Sequence, residues 1–223
     1  MARVARVVWP GCPYHVTHRG NRGGSVFFNN NERRRYLQML CKDGQRWGLR
    51  VWGYALMTNH VHLVVVPKSR DSLARTIGNV HRRHACCVNL RAGWTGHLWA
   101  NRFFSTPLDD EHLWAAARYV ELNPVRAKIV SRAEDYPWSS ARAHVYGSGD
   151  PLLDVDRPFP GSIADWGAWL REGMRDARTG AIRENTRTGR PTGSDAFVSE
   201  LELKLGRELR PRRPGRKPRS TVG

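Results

Sequence analysis

The chain is short of cysteine, short of acidic residues and without any long apolar run, and each shortage closes off a class of protein. Its four cysteines, Cys12, Cys41, Cys86 and Cys87, form no Cys-x-x-Cys pair, so neither a disulfide scaffold nor a zinc ribbon is expected. His81 and His84 share a helix face near Cys86 and Cys87, but those angles do not close a tetrahedron around one ion. No apolar stretch approaches the roughly 20 residues of a membrane-spanning helix. The start, MARVARVVWPG, lacks the apolar segment and small-residue cleavage site of a secretory signal. A cytoplasmic protein with no membrane partner is expected. Twenty Asp and Glu against 37 Lys and Arg leave a formal charge of +17 and a pI near 10.9, a field that draws polyanions, nucleic acid foremost.

What is present is enough for a core. With 223 residues, 40% of them hydrophobic, and nine tryptophans, the chain can bury one domain and carry an appendage. Residues 13–18 (PYHVTH) alternate as a strand and stop at the Gly20 and Gly23-Gly24 turn signals. A helix over 32–47 is expected, capped by Asn30 or Asn31 and stopped by Gly48. Residues 49–57 and 60–66 read as strands split by Thr58-Asn59, a hairpin. A second helix over 73–90 follows, capped by Asp71 or Ser72. An extended piece at 102–108 leads to a third helix, capped by Asp109 or Asp110 and ended at Pro124. Strand, helix, strand, strand, helix, strand is the order of a ferredoxin-like α+β sandwich, with an antiparallel sheet and helices packed on one face. The strand at 60–66 would be central, with one face left for substrate.

That strand carries the chemistry. Residues i and i+2 of a strand share a face, so His60 and His62 project together while Val61 and Leu63 point away. Two converging neutral imidazoles are half of a metal site, although two histidines that merely pack would show the same spacing. On the third helix Tyr119 and Asn123 are four apart and lie one turn from each other. A tyrosine can attack phosphorus and hold it as a covalent ester. Asn123 would add an oxygen to the two imidazole nitrogens and leave positions on a divalent ion open for a phosphate oxygen. An ordinary helix aromatic followed by a helix-ending Asn-Pro gives the same pattern.

Five segments in order carry a resemblance: 18–22 (HRGNR), 57–63 (MTNHVHL), 98–104 (LWANRFF), 118–127 (RYVELNPVRA) and 136–142 (YPWSSAR). Together they resemble the single-tyrosine HUH (IS200-like) transposases and, more narrowly, the REP-associated tyrosine transposases, over residues 11 to about 147. The resemblance implies that His60, His62 and Asn123 hold a divalent ion, Mg²⁺ or Mn²⁺, and that Tyr119 is the nucleophile. It implies an enzyme that cuts single-stranded DNA near hairpins, leaves a 5′-phosphotyrosine and a free 3′-OH, and rejoins strands without ATP. Its partners would be single-stranded DNA with hairpins, such as REP palindromic repeats, met by a monomer or homodimer on the nucleoid. Glu121, which follows Val120, has no role that the resemblance supplies.

Other residues are expected to grip DNA. Arg19, Asn21 and Arg22 sit around a glycine-rich turn suited to phosphates, and Trp99 and Arg102 would stack on an unpaired base and hold its phosphate. Residues 1–147 read as the catalytic domain and 148–193 as linker and short helical extension, with a helix near 163–174. Residues 194–223 read as a helix over 194–209, capped by Ser194 or Asp195, and a basic tail. Phe197, Leu201, Leu205 and Leu209 form a stripe along that helix in need of a partner surface. The tail residues Arg210, Arg212, Arg213, Arg216, Lys217 and Arg219 have nothing to bury and should be disordered until they meet DNA. Two other functions stay open: a domesticated protein that binds structured DNA or RNA without cutting, and a zinc hydrolase, which lacks a third His, Asp or Glu at a usual spacing.

Overall fold

Residues 61–66 are buried throughout because they become an inner strand covered on both sides. The computed structural model describes residues 6–156, 163–173 and 178–210. Its sheet has four strands, β1 (Tyr14–Arg19), β2 (Leu49–Leu56), β3 (His60–Pro67) and β4 (Phe104–Pro107), in the order β2-β3-β1-β4 with every pair antiparallel. The expected hairpin closes through Met57 N–H donating to His60 O at 2.9 Å. Thr17 pairs with His62 and Arg19 with His60. A one-residue slip would move His62 into the apolar layer and turn out Val61, Leu63 and Val65, all at 0% exposure. Each of those is worth about 1.5–3 kcal/mol buried, so the register is firmly set.

Helices α1 (Asn30–Trp47) and α2 (Ser72–Ala92) cover one face, packing Tyr36, Leu40, Ile77 and Val80 with Val16, Leu56, Leu63 and Val65. The cap of α1 is Asn29, whose side chain accepts from Glu32 N–H at 3.0 Å, one residue before the expected pair. The Glu32 carboxylate accepts from Phe28 N–H at 2.7 Å, one residue before the cap, a variant of the capping box that fixes this start. Strand β4 begins only at Phe104, after Asn101 takes a left-handed φ of 58°.

The other face is also covered, which corrects the expectation of helices on one face and an open site opposite. Helices α3 (Asp110–Glu121), α4 (Asn123–Arg126), α5 (Ala141–Tyr146) and α6 (Trp166–Glu172) follow the sheet in the chain. A second core joins Ala55, Val64 and Val66 to Leu113, Ala116, Val120, Trp166, Leu170 and Ile182. Ile182 belongs to α7 (Arg178–Thr188), a helix not expected from the sequence, which packs on β4, α3 and β1. Glu121, at 0% exposure, now has a role: Ser140 Oγ at 2.5 Å, His144 Nδ1 at 2.6 Å and Trp166 Nε1 at 2.7 Å converge on its carboxylate. It ties the end of α3 to α5 and α6.

Helix α8 (Asp195–Leu205) stops four residues before the expected end, at Gly206 with φ 61°, since a left-handed residue closes a helix. Its stripe finds a partner in the N-terminal segment: Leu201 and Leu209 bury with Val7, and Phe197 and Leu205 flank them with Trp9. Among the described residues no helix is long and apolar enough to cross a membrane.

Candidate active site

The four residues expected to do chemistry meet on the face shared by β3 and α3. His60 and His62 rings stand perpendicular with centroids 4.9 Å apart, and the Tyr119 ring meets His62 edge-on at 5.3 Å. Tyr119 is 5% exposed. Asn123 reaches the His60 ring with its carboxamide. The helix does not end at Pro124 as expected: α3 closes at Glu121, Pro124 removes one backbone donor, and helical bonds resume with Arg126 N–H to Leu122 O at 2.9 Å. This break leaves Asn123 at the first position of α4.

The imidazoles are prepared as ligands. Burial pulls His60 down to about 4, opposed by the hydrogen bond with Asn123 and assisted by nearby Arg19. Burial also lowers His62 well below the ordinary range, with His15, His60 and Arg183 adding to it. Both are therefore neutral, as metal ligation requires. Asn59 Nδ2 donates to Gly23 O at 3.0 Å, which turns its Oδ1 toward His60 Nδ1 at 2.6 Å. An oxygen there can only accept, so His60 carries a proton on Nδ1. Among the described residues no group of three or more His, Cys, Asp or Glu is arranged to hold a metal. The donors here are two histidines and an amide, and the Asn123 Nδ2 is buried without a hydrogen-bond partner. Two neutral nitrogens and an amide oxygen suit a divalent ion.

Three residues that sequence reasoning missed complete the site. His15 on β1 stacks on His62 at 5.1 Å, with its Nε2 2.9 Å from His62 Nδ1; strand alternation would have found it had the β1–β3 register been known. Arg183 on α7 donates Nε–H to Tyr119 Oη at 3.1 Å, and the Arg126 guanidinium lies 5.1 Å over the Tyr119 ring. Arg126, seven residues from Tyr119 within the 118–127 segment, could have been found from helical spacing; Arg183 had no local signal.

The DNA-binding candidates divide. Arg19, the last residue of β1, is exposed opposite His60, and Asn21 and Arg22 are exposed in the turn that follows. Their turn demands glycine at Gly20, where a Cβ would lie 2.0 Å from Gly24 O. Arg102 is exposed at the edge of a cavity of about 590 Å³ that Arg6 and Phe103 also line. Trp99 requires correction: it is 6% exposed, its Nε1 donates to His81 O at 3.1 Å, and His18 and His81 stack on it at 4.8 and 4.4 Å. It packs as a core residue at the wall of that cavity, with both ring faces engaged by histidines rather than open to a base. Arg210 folds back on α8, pairing with Glu202 and donating to Ser199 Oγ at 2.9 Å. Arg212, Arg213, Arg216, Lys217 and Arg219 lie outside the described residues.

A tyrosine facing a neutral histidine pair and an asparagine on a ferredoxin-like sheet, in a strongly basic chain, is an arrangement suited to phosphodiester chemistry. The particular family follows from comparison. The family model "Transposase IS200 like" matches residues 9–123, just over half of the chain, and the chain belongs to that family. A REP-associated tyrosine transposase solved bound to a REP hairpin is similar in fold, with a TM-score of 0.56 and 16% identity over 70% of this chain and 93% of that one. A Deinococcus radiodurans R1 protein, provisionally named a transposase, aligns with a TM-score of 0.38 and 18% identity over 54% of this chain and 96% of its own. No curated protein matches.

Proposed function

We propose that the chain is a metal-dependent single-stranded DNA endonuclease and strand transferase that cuts near hairpins, with Tyr119 as nucleophile, and that it is a REP-associated tyrosine transposase in the narrow sense. The observation that carries this reading is the meeting of Tyr119, His60, His62 and Asn123 on one sheet face, with Arg19 beside His60. Attack of Tyr119 Oη on phosphorus forms a tyrosyl ester and breaks the P–O3′ bond, leaving the 5′-phosphate on the protein. The phenol loses a proton and the departing 3′-oxygen gains one. A 3′-OH that reverses the step rejoins the strands without ATP, because one phosphodiester replaces another. A divalent ion, Mg²⁺ or Mn²⁺, held by His60, His62 and Asn123 would supply Lewis acidity at the scissile phosphate.

Arg183 places its charge against the Tyr119 oxygen and holds the ring in place, and Arg19, Asn21 and Arg22 offer donors to the strand that enters past His60. The hairpin as substrate is supported by the bound state of the similar fold, and the site of action would be chromosomal DNA in the cytoplasm. The test is a 5′-labelled and 3′-labelled single-stranded hairpin incubated with full-length protein and Mn²⁺. A denaturant-stable adduct on Tyr119, carrying only the fragment 3′ of the cut, is expected. Cleavage without an adduct, or an adduct that survives Tyr119→Phe, would sink the reading.

A further inference from the structure

Helix α7 lies outside the residues that match the family model, yet it joins the candidate metal site by an unbroken line of hydrogen bonds. Thr186 Oγ1 lies 2.6 Å from Ile182 O and 2.8 Å from His15 Nδ1; His15 Nε2 in turn lies 2.9 Å from His62 Nδ1. Thr186 and His15 are each 1% exposed and His62 6%, so water does not compete along this line.

The positions of the protons follow from counting donors. A carbonyl oxygen has no proton, so at 2.6 Å the single hydroxyl proton of Thr186 must go to Ile182 O. The hydroxyl oxygen can then only accept from His15, which places the His15 proton on Nδ1. His15 is neutral when buried without a counter-charge, so its Nε2 bears a lone pair and can only accept from His62. The His62 proton therefore sits on Nδ1. The Nε2 of His62, for which the described residues offer no hydrogen bond, keeps its lone pair. Each tautomer is forced by the one before it, and the first is forced by a helix carbonyl.

We propose that Thr186 and His15 are positioning residues that lock His62 in the Nδ1–H tautomer, with Nε2 free to bind the divalent ion. The inference rests on the metal reading of the preceding section. It assigns helix α7 a part in building the site, where Asn59 orients the His60 ring from within the hairpin. The imidazole that hydrogen-bonds a metal-ligating histidine governs ring orientation and basicity, and loss of such a partner costs roughly 10–100-fold in metal affinity.

The experiment uses the full chain with ¹⁵N-labelled histidine. Two-bond ¹H–¹⁵N spectra of the metal-free protein should show His15 and His62 each in a single Nδ1–H form; a protonated Nε2 on His62 in the unaltered protein would overturn the relay, with no variant needed. Thr186→Val keeps the side-chain shape and removes the acceptor. It should release His62 into mixed tautomers and raise the Mn²⁺ dissociation constant roughly 10–100-fold, while Thr186→Ser restores both. Unchanged tautomer and affinity in Thr186→Val would overturn the relay alone. No Mn²⁺ binding by the unaltered protein, with His62 in the expected tautomer, would overturn the metal reading and the relay's purpose with it.

Discussion

The two faces of the sheet each carry a buried histidine cluster beside a tyrosine, and they differ in whether every ring nitrogen has a protein partner. Under α1 and α2, His18 Nδ1 meets His81 Nδ1 at 2.8 Å and His81 Nε2 meets Tyr36 Oη at 2.8 Å, while His84 Nε2 bonds to Val26 O at 2.7 Å. His18 Nε2 ends the line at the Ala100 and Asn101 carbonyls. Every nitrogen along the His18–His81 line has a protein partner, and Trp99 closes the cluster. Under α3 and α7, the line Thr186, His15, His62 spends its protons in one direction and leaves a nitrogen over. Residue type does not separate structural from reactive histidines here; the remaining lone pair does.

The sharpest way to break this comparison is to remove the two tyrosine hydroxyls in turn. Tyr119→Phe should abolish adduct formation, since the ester needs the phenolic oxygen, with hairpin binding intact. Tyr36→Phe should still form the adduct, but lose about 1–3 kcal/mol of stability by leaving His81 Nε2 unpaired. Denaturant titration and adduct gels read the two effects; a reversal would exchange the roles of the faces.

Next come the histidines. His62→Ala or His60→Ala should abolish metal-dependent cleavage in a chain that still folds, and EDTA should do the same to the unaltered protein. His81→Ala should keep cleavage where folded and cost about 1–3 kcal/mol, because His18 and Tyr36 lose their partner. Cleavage indifferent to EDTA would remove the metal from the account.

Acid should expose the closed cluster more gently. Unfolded imidazoles take up protons below about pH 6.5, whereas burial, opposed by the Ala100 and Asn101 carbonyls, holds His18 down to about 4, and burial lowers His81 and His84 as well. The unfolded chain therefore binds more protons in that window. Stability from these neutral rings is complete above about pH 6.5 and falls as pH drops toward about 4. The melting temperature should decline across this interval, and more shallowly in His81→Gln. A flat profile would mean that the cluster is not held neutral.

The smallest effect concerns the basic end. A chain ending at Arg210 should bind single-stranded hairpins with a log-log salt slope shallower by roughly 0.7 per lost phosphate contact, and should cleave normally at saturating substrate. Identical slopes would show that the tail does not touch DNA; lost cleavage at saturation would place it in the active site.

Much of the fold was legible because its signals are local. The alternation in β1, the hairpin at Thr58-Asn59 and the caps Asp109 and Ser194 stand within a few residues of what they specify. The pair His60 and His62, and the nearness of Tyr119 to Asn123, follow from strand and helix periods alone. Less local features were lost. The α3–α4 break depends on where Pro124 falls within a packed helix, and Trp99 shows the stacking chemistry of a base platform while lying inside the core. The long polar segment before Thr188 has no apolar stripe to announce α7, since among its described residues Ile182 alone joins the apolar core and the other buried one, Thr186, is polar.

The sequence by itself determined a basic chain without a long apolar run and with an α+β order, and placed two imidazoles, a phenol and an amide at spacings that point to phosphodiester chemistry, because periodicity and charge are properties of neighbours in the chain. Only the tertiary structure decided which histidines meet, that both faces of the sheet are covered, and that α7 brings Arg183 to Tyr119 and Thr186 to His15 across separations of 64 and 171 residues. Such contacts depend on burial and on the direction of single hydrogen bonds between distant segments, and neither leaves a trace in local pattern.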